Sequence, residues 1–258
     1  MKDLWRQASK SLKTFKVGSM KRQDKIKPGG SIRVIGVLLG FFLLTLFSCE
    51  EERELPEEVS SSYLPLNLGQ YWTYDVVERV YFGENDFEDL EYYYRDRISR
   101  QYVNEVDELV QVVTRERSMN LREWENDLAY TLNFSRNRII RTMNNKPVIP
   151  LVYPVQVFQQ WDANGMNSNA IELFTIEEIG GYVVGNRTFG FAALIRQAEE
   201  DDLITRRDNR FEVYAEGIGM IESYYEVFTY CSRSDCLGEQ IIQSGRFKQM
   251  KLIANGIL

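Results

Sequence analysis

The sequence predicts a mainly β protein built as an antiparallel meander. Over several stretches the side chains alternate between apolar and polar, which is the pattern of strands with one buried face. Polar turn residues separate these stretches. No stretch shows sustained 3.6-residue periodicity flanked by helix caps. We therefore expect either two similar β units or one continuous curved sheet.

The first predicted strands follow one another closely. The segment 71–82 alternates and ends at the turn signal Gly-Glu-Asn-Asp at 83–86. This spacing is typical of antiparallel hairpins rather than of strands joined by crossover helices. Further alternating segments lie at 91–103, 108–117, 123–133 and 138–143.

The opening of this meander recurs later in the chain. PLNLGQYW at 65–72 and PVQVFQQW at 154–161 share the proline, two aliphatic residues, a late glutamine and the tryptophan. Duplication of a roughly 90-residue β unit explains the match. Chance is the alternative in a chain with so many aromatic residues. Duplication would divide the body into residues 61–150 and 151–258, with prolines breaking strand pairing at 144–150.

A different kind of segment precedes this body. Five basic residues lie between 21 and 33, and the apolar run 34–47 follows, ending before Ser48. These are the parts of a secretion signal. The run is shorter than the roughly 20 residues of a membrane span, which makes an ordinary transmembrane anchor the weaker alternative. Initiation at Met20 instead of Met1 would give a signal of ordinary length.

The end of the apolar run resembles the lipobox of bacterial lipoproteins, with Leu46 at −3, Ser48 at −1 and Cys49 at +1. The resemblance implies that signal peptidase recognises Leu46 and Ser48 and cleaves before Cys49. It also implies that Cys49 carries a diacylglycerol with palmitate-type chains and an acylated amine. Residues 1–48 would then be absent from the mature protein, and the acyl chains would anchor it to the membrane.

Residues 49–60 are predicted to form an acidic tether. Six glutamates lie between 50 and 58, and such a segment cannot bury enough apolar area to fold. An acidic cluster behind a lipidated cysteine resembles the surface-export signal of Bacteroidota lipoproteins. The resemblance implies an outer-membrane protein exposed at the cell surface. A periplasm-facing outer-membrane protein is the alternative.

The charge of the mature chain excludes one class of partner. Residues 1–48 hold ten basic and two acidic side chains, so removing them leaves 21 basic and 36 acidic side chains and a formal net charge of −15. Nucleic-acid binding depends on lysine and arginine neutralising phosphates. We therefore expect no nucleic-acid partner.

The two cysteines beyond Cys49 predict a local disulfide. Cys231 and Cys236 lie five residues apart, with polar residues between them. An envelope protein meets oxidising conditions, and metal binding would need further ligands, while the chain has no histidine. Two free thiols or a redox pair are the alternatives. A disulfide here would close the tip of a hairpin.

The body also resembles a family of Bacteroidota outer-membrane and surface lipoproteins. The resemblance is carried by Tyr-x-Pro-Leu-x-x-Gly-x-x-Trp at 63–72, Trp-Asp-Ala-Asn at 161–164 and Tyr-Ala-Glu-Gly-Ile-Gly-Met-Ile at 214–221. It implies a β-rich body and brings no activity or ligand to this chain. Phe158 departs from the pattern, because the first opening has Gly69 at the equivalent position.

Aromatic residues on the predicted strands supply a candidate binding surface. Tyr92, Tyr94, Tyr224 and Tyr225 include neighbours that must point to opposite faces of a sheet. Outward rings could contact a protein or a glycan. The alternative is that each ring packs beneath a neighbouring arginine or lysine stem.

The leading functional hypothesis is a membrane-anchored, non-enzymatic binding or scaffold module with a protein or glycan partner. The absence of histidine removes the usual nucleophile systems and histidine metal ligands, and we expect no cofactor and no metal site. The glycines at 217 and 219 open no helix, so they indicate a bulge or close backbone approach rather than a phosphate loop. A lipid or lipoprotein carrier with an apolar cavity is one alternative, and a hydrolase using two carboxylates is another.

Overall fold

The computed structural model describes residues 62–258, and this part of the chain is all β, which confirms the predicted fold class. No helix among these residues has the length and apolar character needed to cross a membrane. The strands are β1 (Gln70–Gly83), β2 (Asp86–Val103), β3 (Leu109–Ser118), β4 (Glu125–Ser135), β5 (Arg138–Met143), β6 (Lys146–Val152), β7 (Gln160–Asp162), β8 (Leu173–Val184), β9 (Arg187–Asp201), β10 (Arg206–Ala215), β11 (Gly219–Tyr230) and β12 (Ile242–Ile257).

These strands form one antiparallel sheet with the order β6-β5-β4-β3-β2-β1-β12-β11-β10-β9-β8-β7. The strands β1 to β6 make one meander and β7 to β12 make a second. Pairing of β1 with β12 joins the two meanders, with Trp72 opposite Asn255 and Arg79 opposite Phe247. The first and last described strands therefore lie at the centre of the sheet, and β6 and β7 lie at its two ends.

The two ends of the sheet approach each other, so the sheet curls into a nearly closed, barrel-like form. The Ile149 amide donates to the Ala163 carbonyl oxygen at 2.9 Å, and Trp161 Nε1 donates to the Ile149 carbonyl oxygen at 2.7 Å. Arg141 on β5 also forms a 2.9 Å ion pair with Glu212 on β10, although six strands separate β5 from β10 in the sheet order. Only strong curvature brings these two side chains together across the interior.

The interior follows from the period-2 patterning of the strands. On β2, the alternate residues Tyr92, Tyr94, Asp96 and Ile98 are all buried, as expected for one face of a strand. The apolar core is one cluster with members from both meanders, among them Val76, Ile98, Ile139, Leu151, Ile176, Ile195, Ile221 and Leu252. The two predicted β units therefore share a core.

The β8–β9 hairpin folds back over the outer face of the sheet. Tyr182 on β8 donates a 2.9 Å hydrogen bond to Glu222 on β11, although β9 and β10 lie between those strands in the sheet. Arg187 at the start of β9 likewise reaches Asn255 on β12 at 3.2 Å. This return covers part of the outer surface of β11 and β12.

The prolines expected to break strand pairing lie within a strand. Pro147 and Pro150 belong to β6, which pairs with β5 along one edge and has no continuous strand partner along the other. Proline is tolerated at such an edge because no ladder donor is needed on the open side. Asn144 and Asn145 have φ angles of 51° and 59° and form the two-residue turn between β5 and β6.

The tryptophans of the two openings make reciprocal contacts. Trp72 Nε1 donates to the carbonyl oxygen of Ile218 in the second meander at 2.5 Å, and Trp161 Nε1 donates to that of Ile149 in the first. Trp72 is buried, whereas Trp161 is half-buried. A Cβ atom at Gly219 would lie 2.5 Å from Trp72 Nε1, so backbone and ring approach closely there, as the glycine pattern predicted.

The turns before the two tryptophans have the same backbone geometry. Gly69 has a φ of 83° and Phe158 a φ of 64°. The amide of Gly69 donates to the carbonyl oxygen of Ile98 on β2, and the amide of Phe158 to that of Ile176 on β8. Each acceptor lies on the second strand of its meander. Duplication of the unit stays a prediction, but the sequence departure at Phe158 leaves the turn unchanged.

Candidate functional site

A cavity of about 580 Å³ opens inside the curved sheet. Nine strands contribute to its wall, all except β7, β8 and β9, so residues of both meanders build it. Its size falls within the range of pockets that hold small organic molecules. The aromatic and apolar residues of the lining are Leu64, Trp72, Tyr74, Tyr130, Leu132, Met143, Val148, Pro150, Tyr214, Met220, Tyr225 and Met250.

Exposure changes steadily along the strands that line the cavity, which defines a mouth and a floor. On β12 the inward residues pass from exposed Arg246 through half-buried Lys248 to buried Met250. On β6, Lys146 is exposed and Pro150 is buried. The mouth therefore lies where β5 turns into β6 and where β12 begins. Buried aromatic and apolar residues close the opposite end.

A buried ion pair crosses the wall between β2 and β3. Arg115 donates two hydrogen bonds to Asp96, from Nε to Oδ1 at 2.6 Å and from Nη2 to Oδ2 at 2.7 Å. The Tyr130 hydroxyl on β4 donates a third bond to Asp96 Oδ2 at 3.0 Å. Burial and the neighbouring Asp96 charge raise the pKa of Tyr130, so this hydroxyl stays a donor. The carboxylate is thus satisfied by three donors.

A second group of the same composition lies on the opposite wall. Arg141 Nη2 donates to Glu212 Oε1 at 2.9 Å, and the Tyr214 hydroxyl donates to Glu212 Oε2 at 2.5 Å. Burial alone would raise the pKa of Glu212, but the Arg141 charge and these hydrogen bonds outweigh it and lower that pKa below its usual value. Glu212 is therefore ionised at neutral pH.

The third group lies nearer the mouth and has an excess of positive charge. Glu78 is buried and receives a 2.5 Å hydrogen bond from the Tyr92 hydroxyl. Its two carboxylate oxygens lie 3.1 Å from Arg246 Nε and 3.8 Å from Lys248 Nζ. One carboxylate thus serves two cations. Burial, together with repulsion from Arg115 and Arg246, lowers the pKa of Lys248 to about 8.

The structure corrects the predicted tyrosine surface at two positions. Tyr92 and Tyr94 are buried inside the sheet, with the Arg117 guanidinium 4.0 Å from the Tyr92 ring centre and Lys248 Nζ 4.6 Å from the Tyr94 ring centre. Packing against arginine and lysine, the alternative stated above, is what occurs there. The error arose because alternation alone does not tell which face of a strand is inward.

The other two tyrosines lie on opposite faces of β11. The Tyr224 ring stacks on Phe211 at 5.0 Å and meets the edge of Phe247 at 5.5 Å on the outer face. Tyr225 is 39% exposed and lines the mouth of the cavity. Of the four tyrosines, Tyr225 is the one that lines the cavity.

Cys231 and Cys236 form a disulfide in the connection between β11 and β12, with their Cα atoms 5.9 Å apart. Within residues 62–258, the group of side chains closest to a metal-binding arrangement is this pair with Asp235. The two sulfur atoms are bonded to each other, so the pair does not offer thiolate ligands.

The residues predicted for lipidation and signal cleavage, Cys49, Leu46 and Ser48, lie outside the described residues. The signal segment 1–48 and the tether 49–60 do so as well.

Sequence reasoning missed the charged residues of the cavity. Asp96 shares the parity of Tyr92, Tyr94 and Ile98 on β2, so it must point to the same face as those large side chains. A charged residue at a position that must face the core was therefore the feature of the sequence that could have revealed the site. Its partner Arg115 lies directly opposite it on the adjacent strand β3, so identifying this cation required the register of the β2–β3 hairpin. The Arg141–Glu212 pair depended instead on the curvature of the sheet, which no local pattern encodes.

No protein-family model matches the sequence, and no curated protein matches it. Two solved structures are similar in their backbone. One is a protein from Bacteroides fragilis described as exported and as having a YmcC-like fold, with 11% identity and a TM-score of 0.43, over 76% of this chain and 99% of that one. The other is a protein from Parabacteroides distasonis described as a lipoprotein, with 9% identity and a TM-score of 0.35, over 77% of this chain and all of that one.

Proposed function

We propose that this chain is a lipid-anchored outer-membrane lipoprotein whose body binds a small organic molecule in the cavity inside the sheet, without transforming it. The observation that carries the binding function is the cavity itself, which has an accessible mouth and a buried floor. The lipobox at 46–49 and the acidic segment behind it support the anchor and the surface location.

The polar groups of the cavity favour binding over hydrolysis. A glycosidase-type mechanism needs one carboxylic acid with a raised pKa beside a second, free carboxylate. Glu212 has a lowered pKa, and both Asp96 and Glu212 are held by an arginine and a tyrosine. Such carboxylates orient the arginines and are poor proton donors.

The cavity also differs from what a simple lipid carrier would need. A carrier for acyl chains alone would have an interior lined by apolar side chains throughout. Here the apolar floor is followed by two neutralised ion pairs and then by a cationic mouth. A compact ligand with both apolar and polar parts matches this lining better than an acyl chain alone does.

The neutral dye N-phenyl-1-naphthylamine, which fluoresces in apolar surroundings, tests the binding function. We expect the mature chain to bind this dye with one-site saturation, because the floor offers aromatic and apolar contacts. Ser223→Trp places a large ring in the cavity wall and should abolish saturable binding. Ser244→Trp, on an exposed part of β12, is the matched control and should leave it unchanged. Equal fluorescence from all three proteins would refute a cavity site.

Mass spectrometry of the N-terminal peptide tests the anchor. We expect a chain that begins at Cys49 and carries a diacylglycerol and an acyl amide. Cys49→Ala should leave an unprocessed, unacylated precursor. An unmodified Cys49 in a chain that keeps the apolar run 34–47 would indicate a membrane span instead.

A further inference from the structure

We infer that the ligand is an anionic amphiphile whose acidic group binds at the cationic mouth, against Arg246, Lys248 and Lys146, while its apolar part lies on the aromatic floor. This inference rests on the proposed binding function and adds the chemical class of the ligand. It follows from the charge, position and burial of the residues that line the cavity.

Positive charge exceeds negative charge in the lining. Five lining residues are cations, namely Arg115, Arg141, Lys146, Arg246 and Lys248, and two are anions, namely Asp96 and Glu212. The two anions are each matched by one arginine. The excess stands out because the mature chain has 36 acidic and 21 basic side chains. With this composition, an ordinary solvent-exposed surface of the protein should carry more negative than positive charge, which is the opposite of the cavity lining.

The unmatched cations are those at the mouth. Arg246 and Lys248 share the single carboxylate of Glu78. Lys146 makes no ion pair or hydrogen bond through its side chain with any described residue, and it is exposed at the β5–β6 turn. An anion placed between these groups would gain charge-assisted hydrogen bonds.

The geometry at Lys248 strengthens this assignment. Its ammonium group is largely buried, with a side-chain exposure of 20%, and it faces the rings of Tyr92 and Tyr94. Burying a cation that has only part of a counter-ion is unfavourable. An anionic group of the ligand would supply the missing counter-charge of Lys248. Ligand binding would therefore give Lys248 a function that a purely structural lysine would lack.

The floor determines that the rest of the ligand is apolar. Leu64, Trp72, Met220 and Met250 are buried and line the end of the cavity opposite the mouth. These side chains offer no charged partner. An inorganic anion would occupy only the mouth, so it would leave the apolar contacts unused.

A matched pair of dyes tests the inference. 8-Anilinonaphthalene-1-sulfonate has the skeleton of N-phenyl-1-naphthylamine with an added sulfonate. The protein is the mature chain, residues 49–258, with Cys49→Ala so that no acyl chain competes for the cavity. We expect Arg246→Gln and Lys248→Met each to weaken sulfonate-dye affinity about tenfold or more. Affinity for the neutral dye should change by less than about twofold, which also shows that the variants keep the cavity.

The control cation is Arg79, which lies beside β12 but points to the outer face and pairs with Asp89. Arg79→Gln should change neither affinity. Decyl phosphate and decanoate should displace the sulfonate dye, whereas decanol and inorganic phosphate should displace it poorly.

The outcomes separate the two proposals. Failure of the neutral dye to bind any variant refutes the cavity function. If the neutral dye binds but Arg246→Gln and Lys248→Met leave the affinity for the sulfonate dye unchanged, the proposal that the ligand is anionic is overturned and the cavity function stands. Displacement by inorganic phosphate as effective as that by decyl phosphate overturns the amphiphilic part, because the floor would then contribute nothing.

Discussion

At the scale of single residues, the charged side chains inside the sheet depend on their partners. A buried ion pair adds little net stability compared with an apolar pair, but removal of one partner leaves a charge in a medium of low polarity. Asp96 and Arg115 have side-chain exposures of 2% and 13%, whereas the surface pair Asp89 and Arg79 has 54% and 39%. The two pairs have similar bidentate geometry, so they form a controlled comparison.

We predict that Asp96→Asn lowers the free energy of unfolding by about 3–5 kcal/mol, because Arg115 is left buried without a counter-ion. Asp89→Asn should cause no resolvable change, because its arginine remains hydrated. Urea denaturation followed by tryptophan fluorescence measures both. Equal effects of the two substitutions would show that the Asp96 pair is not buried as described.

Lys248 makes stability depend on pH. Its folded pKa is about 8, below the ordinary lysine value of 10.5, chiefly because of burial. Between these two values the unfolded chain holds a proton that the folded chain has released, so stability should rise with pH by up to about 3 kcal/mol. The groups that face or neighbour this ammonium are Glu78, Tyr92, Tyr94, Arg115, Asp127, Tyr225 and Arg246.

The usable window is pH 8 to about 10, because buried tyrosines with raised pKa values, Tyr92 and Tyr130 among them, destabilise the fold once tyrosines of the unfolded chain ionise. Chemical denaturation across this window should show the rise in the native sequence and a smaller rise, or none, in Lys248→Met. A parallel rise in both proteins would assign the effect to other groups.

At the scale of strands and turns, alternation in the sequence was sufficient for the first five strands, whose predicted segments match the observed ones within a few residues at most ends. The turn was predicted at 83–86 and the next strand from residue 91, yet the acidic segment 86–90 already belongs to β2, and Glu84 and Asn85 form the turn. The segment was misjudged because both faces of the strand are exposed there, so no apolar alternation marks it. The cavity as a whole could not be predicted because its wall combines the consecutive strands β2, β3 and β4 with β10, β11 and β12, which are distant in sequence.

The equivalent turns at Gly69 and Phe158 allow a paired test of one backbone conformation. At Gly69 a Cβ atom would lie 2.6 Å from the Leu258 carbonyl oxygen, so Gly69→Ala should destabilise through both strain and collision. Phe158 adopts the same left-handed conformation, and its side chain is 79% exposed. Phe158→Gly should therefore raise the free energy of unfolding by about 1 kcal/mol. Thermal unfolding checks the opposite signs, and destabilisation by Phe158→Gly would show that the ring has a packing role.

At the scale of the whole molecule, each half of the sheet completes the other. Strand β1 pairs along most of its length with β12, from the opposite half, and this pairing runs from Gln70 opposite Ile257 to Tyr81 opposite Gly245. The charge of Arg141 is neutralised by Glu212, again across the halves. If an ancestral unit was duplicated, its single copy would have lacked both partners. A dimer of such units could have supplied them by symmetry.

The same reasoning predicts how the molecule unfolds. Separation of residues 62–152 from 153–258 would expose the edges of β1 and β12 and break the contacts that Trp72 and Trp161 make across the halves. We therefore expect calorimetry of the mature chain to give one transition with equal calorimetric and van't Hoff enthalpies. Trp72→Phe and Trp161→Phe should each lower that single midpoint without splitting the peak. Resolution into two transitions, one sensitive to each tryptophan, would instead mean that the halves are independent domains joined at an interface, and a cavity built from both would then open before either half unfolds.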